Sequence, residues 1–380
     1  MHITGAPQPK KELSAMKITA AVKRPDNQKF VLDEVELDAP RADEILVKIA
    51  GVGICHTDLV MAEGAIQLPA VLGHEGSGTV EAVGADVREV AVGDRVAISF
   101  RSCGDCDRCA SGDAPYCRTM PMLNYTGRRT DGTTALHDES GEISSNFFGQ
   151  SSFATHALTY ERNVVKVPND VPLELVGPLG CGIQTGLGGV INSLAAPKGS
   201  TILITGGGPV GLSAVMGAKI QGCSKIILLE PHAARREFAL ELGATHTLDP
   251  VNLESLAVAV REIEPMGIDF AFDTTGIPDV LEGIMDCLGS KGTLGVVGIA
   301  PPDASLPGKM VQAMSFGHTV KGIVEGDSDP KTFIPQMLAY HREGRLPFDK
   351  MIKTYPMSQI NEAIAEQHAG KCIKAVLIPD

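Results

Sequence analysis

The chain has 380 residues, 43% of them hydrophobic and 21% charged, a composition that fits a folded globular protein and excludes a disordered one. That length exceeds one ordinary hydrophobic core and predicts two domains. With 33 Lys and Arg against 46 Asp and Glu, the formal net charge is −13, a field that disfavours nucleic acid or an anionic membrane as a general partner.

No run of about 18 apolar residues occurs, so no membrane span is expected. The segment Met1–Met16, with Pro7, Pro9, Lys10 and Lys11, lacks the apolar stretch of a secretory signal. It reads as a mobile tail before a first strand near Met16–Val22, and the expected compartment is the cytosol. Five of the nine cysteines lie between Cys55 and Cys117. In a reducing compartment such clustering favours metal ligation over disulfides. Cys223, Cys287 and Cys372 sit in apolar patterns and read as small buried hydrophobes.

Short strands are predicted at Lys17–Val22, Phe30–Glu36, Glu44–Val52, Ser77–Val83 and Arg95–Ile98. Gly and Pro clusters separate them, which points to an antiparallel, barrel-like unit. After the third strand come Cys55, His56, Thr57 and Asp58, offering a thiolate, an imidazole, a hydroxyl and a carboxylate. Metal chemistry can use each of these, but the stretch alone assigns nothing. Further on, Cys103, Cys106, Cys109 and Cys117 follow one another at x2, x2 and x7. Four thiolates so close in one loop can close a tetrahedral zinc site with no position left for substrate. The polar stretch Met120–Gln150 reads as one long loop, functional or a contact surface. Its end, Phe147-Phe148-Gly149, offers two rings that either line a pocket or pack in the core.

The sequence then turns Gly-rich around Cys181, between Gly177 and Gly189. A strand at Thr201–Thr205 runs into Gly206-Gly207-Gly208-Pro209-Val210-Gly211 and a helix to about Gln221. Because it follows a β-branched strand and opens a helix, this GxGxxG has the context of a dinucleotide fingerprint. Its glycines let the backbone approach a pyrophosphate, and the helix N-terminus supplies N–H donors. The next strand, Lys225–Leu229, ends at Glu230, nineteen residues after Gly211. An acid there binds ribose hydroxyls and repels a 2′-phosphate, so NAD is expected over NADP. Arg235 and Arg236, one helical turn beyond, read as a solvated helix face. Strands at Ala244–Leu248, Ile268–Asp273, Gly292–Val297 and Thr319–Gly322, with helices Glu254–Glu264 and Pro278–Leu288 between, bring the count to six, enough for two mononucleotide-binding halves. The tail holds helices near Phe333–Glu343 and Ile360–His368 and a closing strand at Lys371–Ile378. It lacks the βαβ rhythm and is assigned back to the first domain.

The combination of Gly73-His74-Glu75-Gly76, Gly93-Asp94-Arg95-Val96, the four-cysteine ladder, Gly180-Cys181-Gly182 and the Gly206–Gly211 fingerprint resembles the zinc-dependent medium-chain alcohol dehydrogenase family. The resemblance covers nearly the whole chain from Met16 to Asp380. Val320–Asp327, Phe333–Gln336 and Gly344–Asp349 are similar, more specifically, to the bacterial aryl (benzyl-type) branch. The implied fold is α/β: a GroES-like, mainly antiparallel β catalytic domain that binds zinc (1–182), an NAD-binding Rossmann domain with a doubly wound parallel six-stranded sheet (183–324), and a return to the catalytic domain (325–380).

The resemblance also implies two zinc ions per chain. Cys103, Cys106, Cys109 and Cys117 match the structural site. Cys55, His74 and Cys181 match the catalytic ligands, the Cys2His set known for alcohol dehydrogenases and carried over here on that ground. Glu75 matches a carboxylate close behind the metal, and Asp58 the acid that orients the ligand histidine. Thr57 matches the hydroxyl that takes the alcohol proton. Gly206, Gly208, Pro209, Val210, Gly211 and Glu230 fall on the dinucleotide. Thr185, Val210 and Val297 match residues packing on the nicotinamide, and His56 and Lys374 match basic positions on the pyrophosphate. Some members carry a relay histidine five residues after the first ligand, where this chain has Val60. Beyond Thr57 the proton then leaves through the cofactor ribose, His56 or water.

By the same resemblance, Ile66, Ser99, Phe100, Phe147 and Phe148 are expected at or near pocket-lining positions. A small Ser99 beside Phe rings implies a flat aromatic or allylic primary alcohol, such as benzyl alcohol or a terpenol. The expected activity is NAD-dependent interconversion of such alcohols and their aldehydes. The nearest alternative is a glutathione-dependent formaldehyde dehydrogenase, with Arg128 or Arg129 serving the glutathione carboxylates; a general aliphatic alcohol dehydrogenase is another. A zinc-free quinone reductase lacks the Cys55, His74 and Cys181 set. By analogy with the fold, a cytoplasmic homo-oligomer, dimer or tetramer, is expected.

Overall fold

The structure, a computed structural model, describes residues 14–380; the tail expected at the start of the chain lies outside them up to residue 13. The first part of the chain builds two mainly antiparallel sheets. Its strands are β1 (Met16–Lys23), β2 (Phe30–Leu37), β3 (Glu44–Gly53), β4 (Ala70–Val71), β5 (Gly76–Val83), β6 (Arg95–Ile98), β7 (Leu136–Asp138), β8 (Gly141–Ile143), β9 (His156–Tyr160) and β10 (Val164–Lys166). One sheet runs β4-β1-β2-β7-β8; the other begins β10-β6-β5-β3, with β9 also on β3. Three short helices, α1 (His56–Val60), α2 (Asp107–Ala110) and α3 (Met120–Asn124), interrupt the strands.

β3 is the spine of this part. It pairs with β5 along one edge and with β9 along the other. Nearly all of its residues are buried, so its apolar run Ile45–Ile49 does not alternate as a half-exposed strand would. Around it pack Val22, Val35, Leu72 and Phe153. Each fully buried side chain of this kind contributes about 1.5–3 kcal/mol, so the core holds the end of β3, and with it Cys55, in a fixed place.

The second part follows α4 (Gly182–Gly188). Its strands are β11 (Thr201–Thr205), β12 (Lys225–Leu229), β13 (His246–Leu248), β14 (Ile268–Asp273), β15 (Leu288–Val296) and β16 (Thr319–Gly322). They form one sheet in the order β13-β12-β11-β14-β15-β16, and every pair is parallel. The connections carry α5 (Pro209–Gln221), α6 (Ala233–Leu242), α7 (Leu256–Ile263), α8 (Pro278–Cys287) and α9 (Met310–Phe316). Both faces are covered: Ile202 and Ile204 of β11 point into one core, Leu203 into another. That two-sided burial is why the strand sequence is continuously apolar. Strand order reverses at β11, which places a ligand crevice beyond its carboxyl end.

The last part holds α10 (Pro330–Arg342), β17 (Ile352–Pro356), α11 (Ile360–His368) and β18 (Lys374–Ile378). β18 joins the antiparallel sheet beside the end of β3, with Val376 opposite Gly53, and β17 lies parallel to it. The return to the first part is therefore a strand addition. No helix among the described residues is long and apolar enough to cross a membrane.

Three expectations need correction. Met120–Gln150 is not one loop: it contains α3 and the β7–β8 hairpin, which extends the sheet from β2. α10 begins three residues before Phe333, because the Asp329 carboxylate accepts from Lys331 N at 3.1 Å and Pro330 fills the first helical position. The closing strand begins at Lys374, and β17 was not anticipated.

Candidate active site

β3 ends at Gly53, and Cys55 becomes the N-cap of α1. Asp58, three residues on, folds back so that its Oδ2 accepts the Cys55 N–H at 2.9 Å. Its Oδ1 accepts the Gly73 N–H at 3.0 Å and stands 2.8 Å from His74 Nδ1. One buried carboxylate thus ties the α1 turn to the segment before β5. With Nδ1–H donated to Asp58, the other ring nitrogen is left as an acceptor. That atom, His74 Nε2, is buried and has no hydrogen-bond partner.

Cys181 arrives from a third segment, at the start of α4. Ligand atoms of Cys55, His74, Glu75 and Cys181 all lie within 4.8 Å of one another. A single zinc ion, with ligand distances of about 2.0–2.3 Å, fits among them, and His74 Nε2 supplies the nitrogen. Contact with Cys181, with the His74 and Lys374 charges adding, holds the Cys55 thiol well below its ordinary range.

Glu75 is fully buried, and burial first pushes its carboxyl up while Lys374 opposes the shift. Its Oε2 stands 2.5 Å from Lys374 Nζ, which also donates to the Ile54 carbonyl at 2.9 Å. Gly53 makes room for this pair: a Cβ there would lie 2.0 Å from Glu75 Oε2. Lys374, expected on a pyrophosphate, has a buried side chain that pairs with Glu75 and donates to the Ile54 carbonyl, next to Cys55.

Phe148 stacks on His74, ring centroids 4.4 Å apart at 23°, and Phe147 meets the same imidazole edge-on at 5.4 Å. Phe148 takes a left-handed backbone (φ 51°), a conformation rare for a bulky residue. The loop is pinned there by Asn163 Nδ2 on the Phe148 carbonyl at 2.9 Å and by Gln150 Nε2 on the His74 carbonyl at 2.8 Å. Ser99 does not widen a pocket beside these rings. It is fully buried and donates to the Gly180 carbonyl at 2.5 Å, so it backs the Cys181 turn. Ile66 and Phe100 are buried in the surrounding apolar core.

Three residues with no role assigned from the sequence stand here. Tyr125 packs against Phe148 at 5.4 Å, and its hydroxyl is pushed up to about 12, by burial first and then by the Glu325 and Cys181 charges. Glu325 is buried, with its carboxyl pushed up to about 7 by that burial. Gln184 Nε2 bonds to both Glu325 Oε2 at 2.9 Å and the Gly180 carbonyl at 2.7 Å. Glu325 lies inside the segment that carries the aryl-branch resemblance, which was its only sequence signal.

The glycine loop lies beside this cluster. A Cβ on Gly182 would sit 3.8 Å from Val210 Cγ2 and 3.9 Å from Lys374 Nζ, so metal cluster and fingerprint helix meet at that point. α5 opens at Gly208 with Pro209 at its first turn, leaving N–H donors directed at the crevice. Glu230, just past the end of β12, is buried, and its Oε2 accepts the Gly207 N–H at 2.6 Å. Its Oε1 is 2.6 Å from His232 Nδ1. Arg236 is engaged by the Glu230 and Pro231 carbonyls and by Asp249. Thr185 is buried, Val210 and Val297 are half-buried on the same apolar cluster, and His56 is exposed on α1. Thr57 Oγ1 stands 3.8 Å from Cys55 Sγ.

The second donor set, Cys103, Cys106, Cys109 and Cys117, also falls within 4.8 Å. Cys103 and Cys109 sulfurs are 3.9 Å apart, against the roughly 3.8 Å that a tetrahedron of 2.3 Å zinc–sulfur bonds requires. The Cys103 N–H donates to Cys117 Sγ at 3.3 Å and the Gly104 N–H to Cys109 Sγ at 3.4 Å. None of the four is in a disulfide.

A doubly wound parallel sheet joined to a β-rich part that carries both cysteine sets is the medium-chain dehydrogenase fold. Residues 41–169 match the alcohol dehydrogenase GroES-like domain, and residues 209–339 match the zinc-binding dehydrogenase family. The chain is 48% identical over 361 residues to the geraniol dehydrogenase of Castellaniella defragrans, covering 94% of this chain and 97% of that one. It is 31% identical over 375 residues to the S-(hydroxymethyl)glutathione dehydrogenase of Saccharomyces cerevisiae, covering 96% and 97%. The crystal structure of benzyl alcohol dehydrogenase from Acinetobacter calcoaceticus superposes with a TM-score of 0.92 at 40% identity, covering 96% of this chain and 100% of that one. The chain belongs to the zinc-dependent medium-chain alcohol dehydrogenase family. Such an enzyme works with zinc and with NAD or NADP.

Proposed function

We propose that this enzyme interconverts primary aryl or allylic alcohols, of the benzyl alcohol or terpenol type, and their aldehydes with NAD. The observation that carries the reading is a buried, unpartnered His74 Nε2 set among Cys55, Cys181 and Glu75, with Phe148 stacked on the same imidazole. Geraniol and benzyl alcohol, the substrates named for two similar enzymes, both place a π-system beside the carbinol carbon.

When bound, zinc held by Cys55, His74 and Cys181 supplies Lewis acidity toward the alcohol oxygen, and NAD supplies the hydride acceptor. Asp58 fixes the His74 tautomer that presents Nε2. Thr57 takes the alcohol proton, and Glu75 with Lys374 balances charge behind the ligands. Phe147, Phe148 and Tyr125, packed edge to face, supply an apolar, water-excluding side of the site for an aromatic or allylic group. Thr185, Val210 and Val297 pack the nicotinamide, and Gly206, Gly208, Pro209 and Gly211 with His56 receive the pyrophosphate. Glu230 accepts the ribose hydroxyls and disfavours a 2′-phosphate. Cys103, Cys106, Cys109 and Cys117 hold a second, structural zinc. The domain division adopted is 1–182, 183–324 and 325–380.

The glutathione-dependent alternative loses its basic residues to other work. Arg129 is buried in a bidentate pair with Glu44 and a further bond to Asp38, and Arg128 pairs with Glu142. The same proposal includes a cytoplasmic setting, where six ligand thiols stay reduced, and a homo-oligomer. β16 is an outer strand of its sheet, and Leu306, Met310, Val311 and Met314 nearby are exposed. Light scattering after gel filtration reads that assembly.

The decisive assay is a panel of alcohols with NAD and NADP. Benzyl alcohol and geraniol should exceed ethanol in kcat/KM by about a hundredfold or more, NAD should be preferred, and S-(hydroxymethyl)glutathione should be a poor substrate. Comparable values for ethanol and benzyl alcohol would refute the substrate class.

A further inference from the structure

The chain leaves β16 through three consecutive residues with left-handed backbone: Glu325 (φ 50°), Gly326 (φ 64°) and Asp327 (φ 49°). Glycine takes such angles freely, but Glu325 and Asp327 carry Cβ atoms and are strained there. A strained turn persists only where its surroundings over-determine it. Each of the three residues is held separately. Glu325 Oε2 accepts from Gln184 Nε2 at 2.9 Å and from Thr185 Oγ1 at 3.4 Å. The Gly326 carbonyl accepts from Asn192 Nδ2 at 3.3 Å and Ser328 Oγ at 3.1 Å. Gly326 also lies so close to α4 that a Cβ on it would sit 2.5 Å from the Gln184 carbonyl. Asp327 accepts from the Tyr116 hydroxyl at 2.7 Å and pairs with Lys321 Nζ at 3.0 Å.

The two ends of this turn reach different cysteine sets. Tyr116 closes the 3-10 turn Ala114–Tyr116 immediately before Cys117, so Asp327 is held by the four-cysteine lobe. Gln184 and Thr185 lie on the first turns of α4, directly after Cys181, and Gln184 also bonds the Gly180 carbonyl at 2.7 Å. Glu325 therefore engages two side chains that follow Cys181, and through Gln184 it is linked to the Gly180 carbonyl that precedes it.

We propose that the Glu325–Asp327 turn is a brace through which the four-cysteine lobe positions Cys181 and Thr185, with Tyr116, Asp327 and Glu325 as positioning residues for the alcohol dehydrogenase reaction. The brace rests on the reading of Cys181 and Thr185 given above. It makes the four-cysteine lobe a contributor to active-site geometry as well as to stability, and it explains why two side-chain-bearing residues sit in a strained turn far from solvent-driven loop requirements.

The test uses the full-length, zinc-loaded enzyme with Tyr116→Phe, Glu325→Gln and the double variant. Backbone hydrogen exchange over residues 181–188, read by mass spectrometry, needs no substrate or turnover. Tyr116→Phe removes the hydroxyl that reaches Asp327 and the Gly322 carbonyl and should speed that exchange and lower kcat, each by about threefold, with KM for the alcohol within about twofold. Because the two residues act through one turn, the double variant should be no worse in kcat than Glu325→Gln alone. Should Glu325→Gln fail to accumulate, Asp327→Asn replaces it in the cycle with the same expectation. Unchanged exchange at 181–188 in Tyr116→Phe, or effects on kcat that simply multiply, would overturn the brace. Zinc content separates the two proposals: fewer than two zinc per wild-type chain overturns the ligand assignment, while the exchange result still decides the brace.

Discussion

Among the described residues stand two four-donor sets, each within 4.8 Å, of opposite construction. Cys103, Cys106, Cys109 and Cys117 come from one loop, are sulfur only and are largely part-exposed, and the Cys109 and Cys117 sulfurs accept backbone N–H bonds. Cys55, His74, Glu75 and Cys181 come from three distant segments, are mostly buried, and mix sulfur, nitrogen and carboxylate. The local set closes on itself. The distributed set depends on supports that are not ligands: Asp58 behind His74, Lys374 behind Glu75, and Gln184 with Glu325 behind Cys181. A closed all-sulfur tetrahedron leaves nothing for substrate, whereas the mixed set has three strong zinc ligands and room for a fourth partner. Local ligands suit a structural ion; dispersed ligands with dedicated supports suit a reactive one.

Substitutions on the two sides should separate them. Cys181→Ala should produce the largest effect, a loss in kcat/KM of about a thousandfold or more, since Lewis-acid stabilisation is worth several kcal/mol. Its zinc content should fall by one with the fold intact by circular dichroism. Asp58→Asn keeps the size of the side chain but loses the carboxylate that orients His74. It should weaken zinc binding or activity by about 10- to 100-fold, measured by competition with a chromogenic chelator. Cys109→Ser should act mainly on stability. It should lose one zinc and lower Tm by on the order of 5 °C, with kcat reduced only about as much as in Tyr116→Phe. A thousandfold loss of kcat in Cys109→Ser, at a temperature where it stays folded, would erase the distinction.

The same contrast explains what was legible in the sequence. The four-cysteine spacing, the strand-glycine-helix run at Thr201–Gly211 and the offset to Glu230 are local, and local order carries their geometry. The six parallel strands were likewise readable, because burial on both faces makes Ile202–Ile204 and Ile226–Leu229 continuously apolar. The β7–β8 hairpin escaped notice because each strand has only three residues, too few for a periodic pattern. Ser99, Lys374 and Glu325 are different cases. Their environments are set by chain segments far away in sequence, which pair Ser99 with Gly180, Lys374 with Glu75 and Glu325 with Gln184. Nothing in the neighbouring residues encodes those contacts.

On the proposed reading, one ion belongs to each donor set and only one of them does chemistry. Zinc analysis of the wild type, Cys181→Ala and Cys109→Ser, paired with kcat on benzyl alcohol, addresses it most directly. Two, one and one zinc per chain are expected, with activity abolished in Cys181→Ala and reduced only a few-fold in Cys109→Ser. A wild-type enzyme with one zinc or none, or full activity in Cys181→Ala, would contradict it.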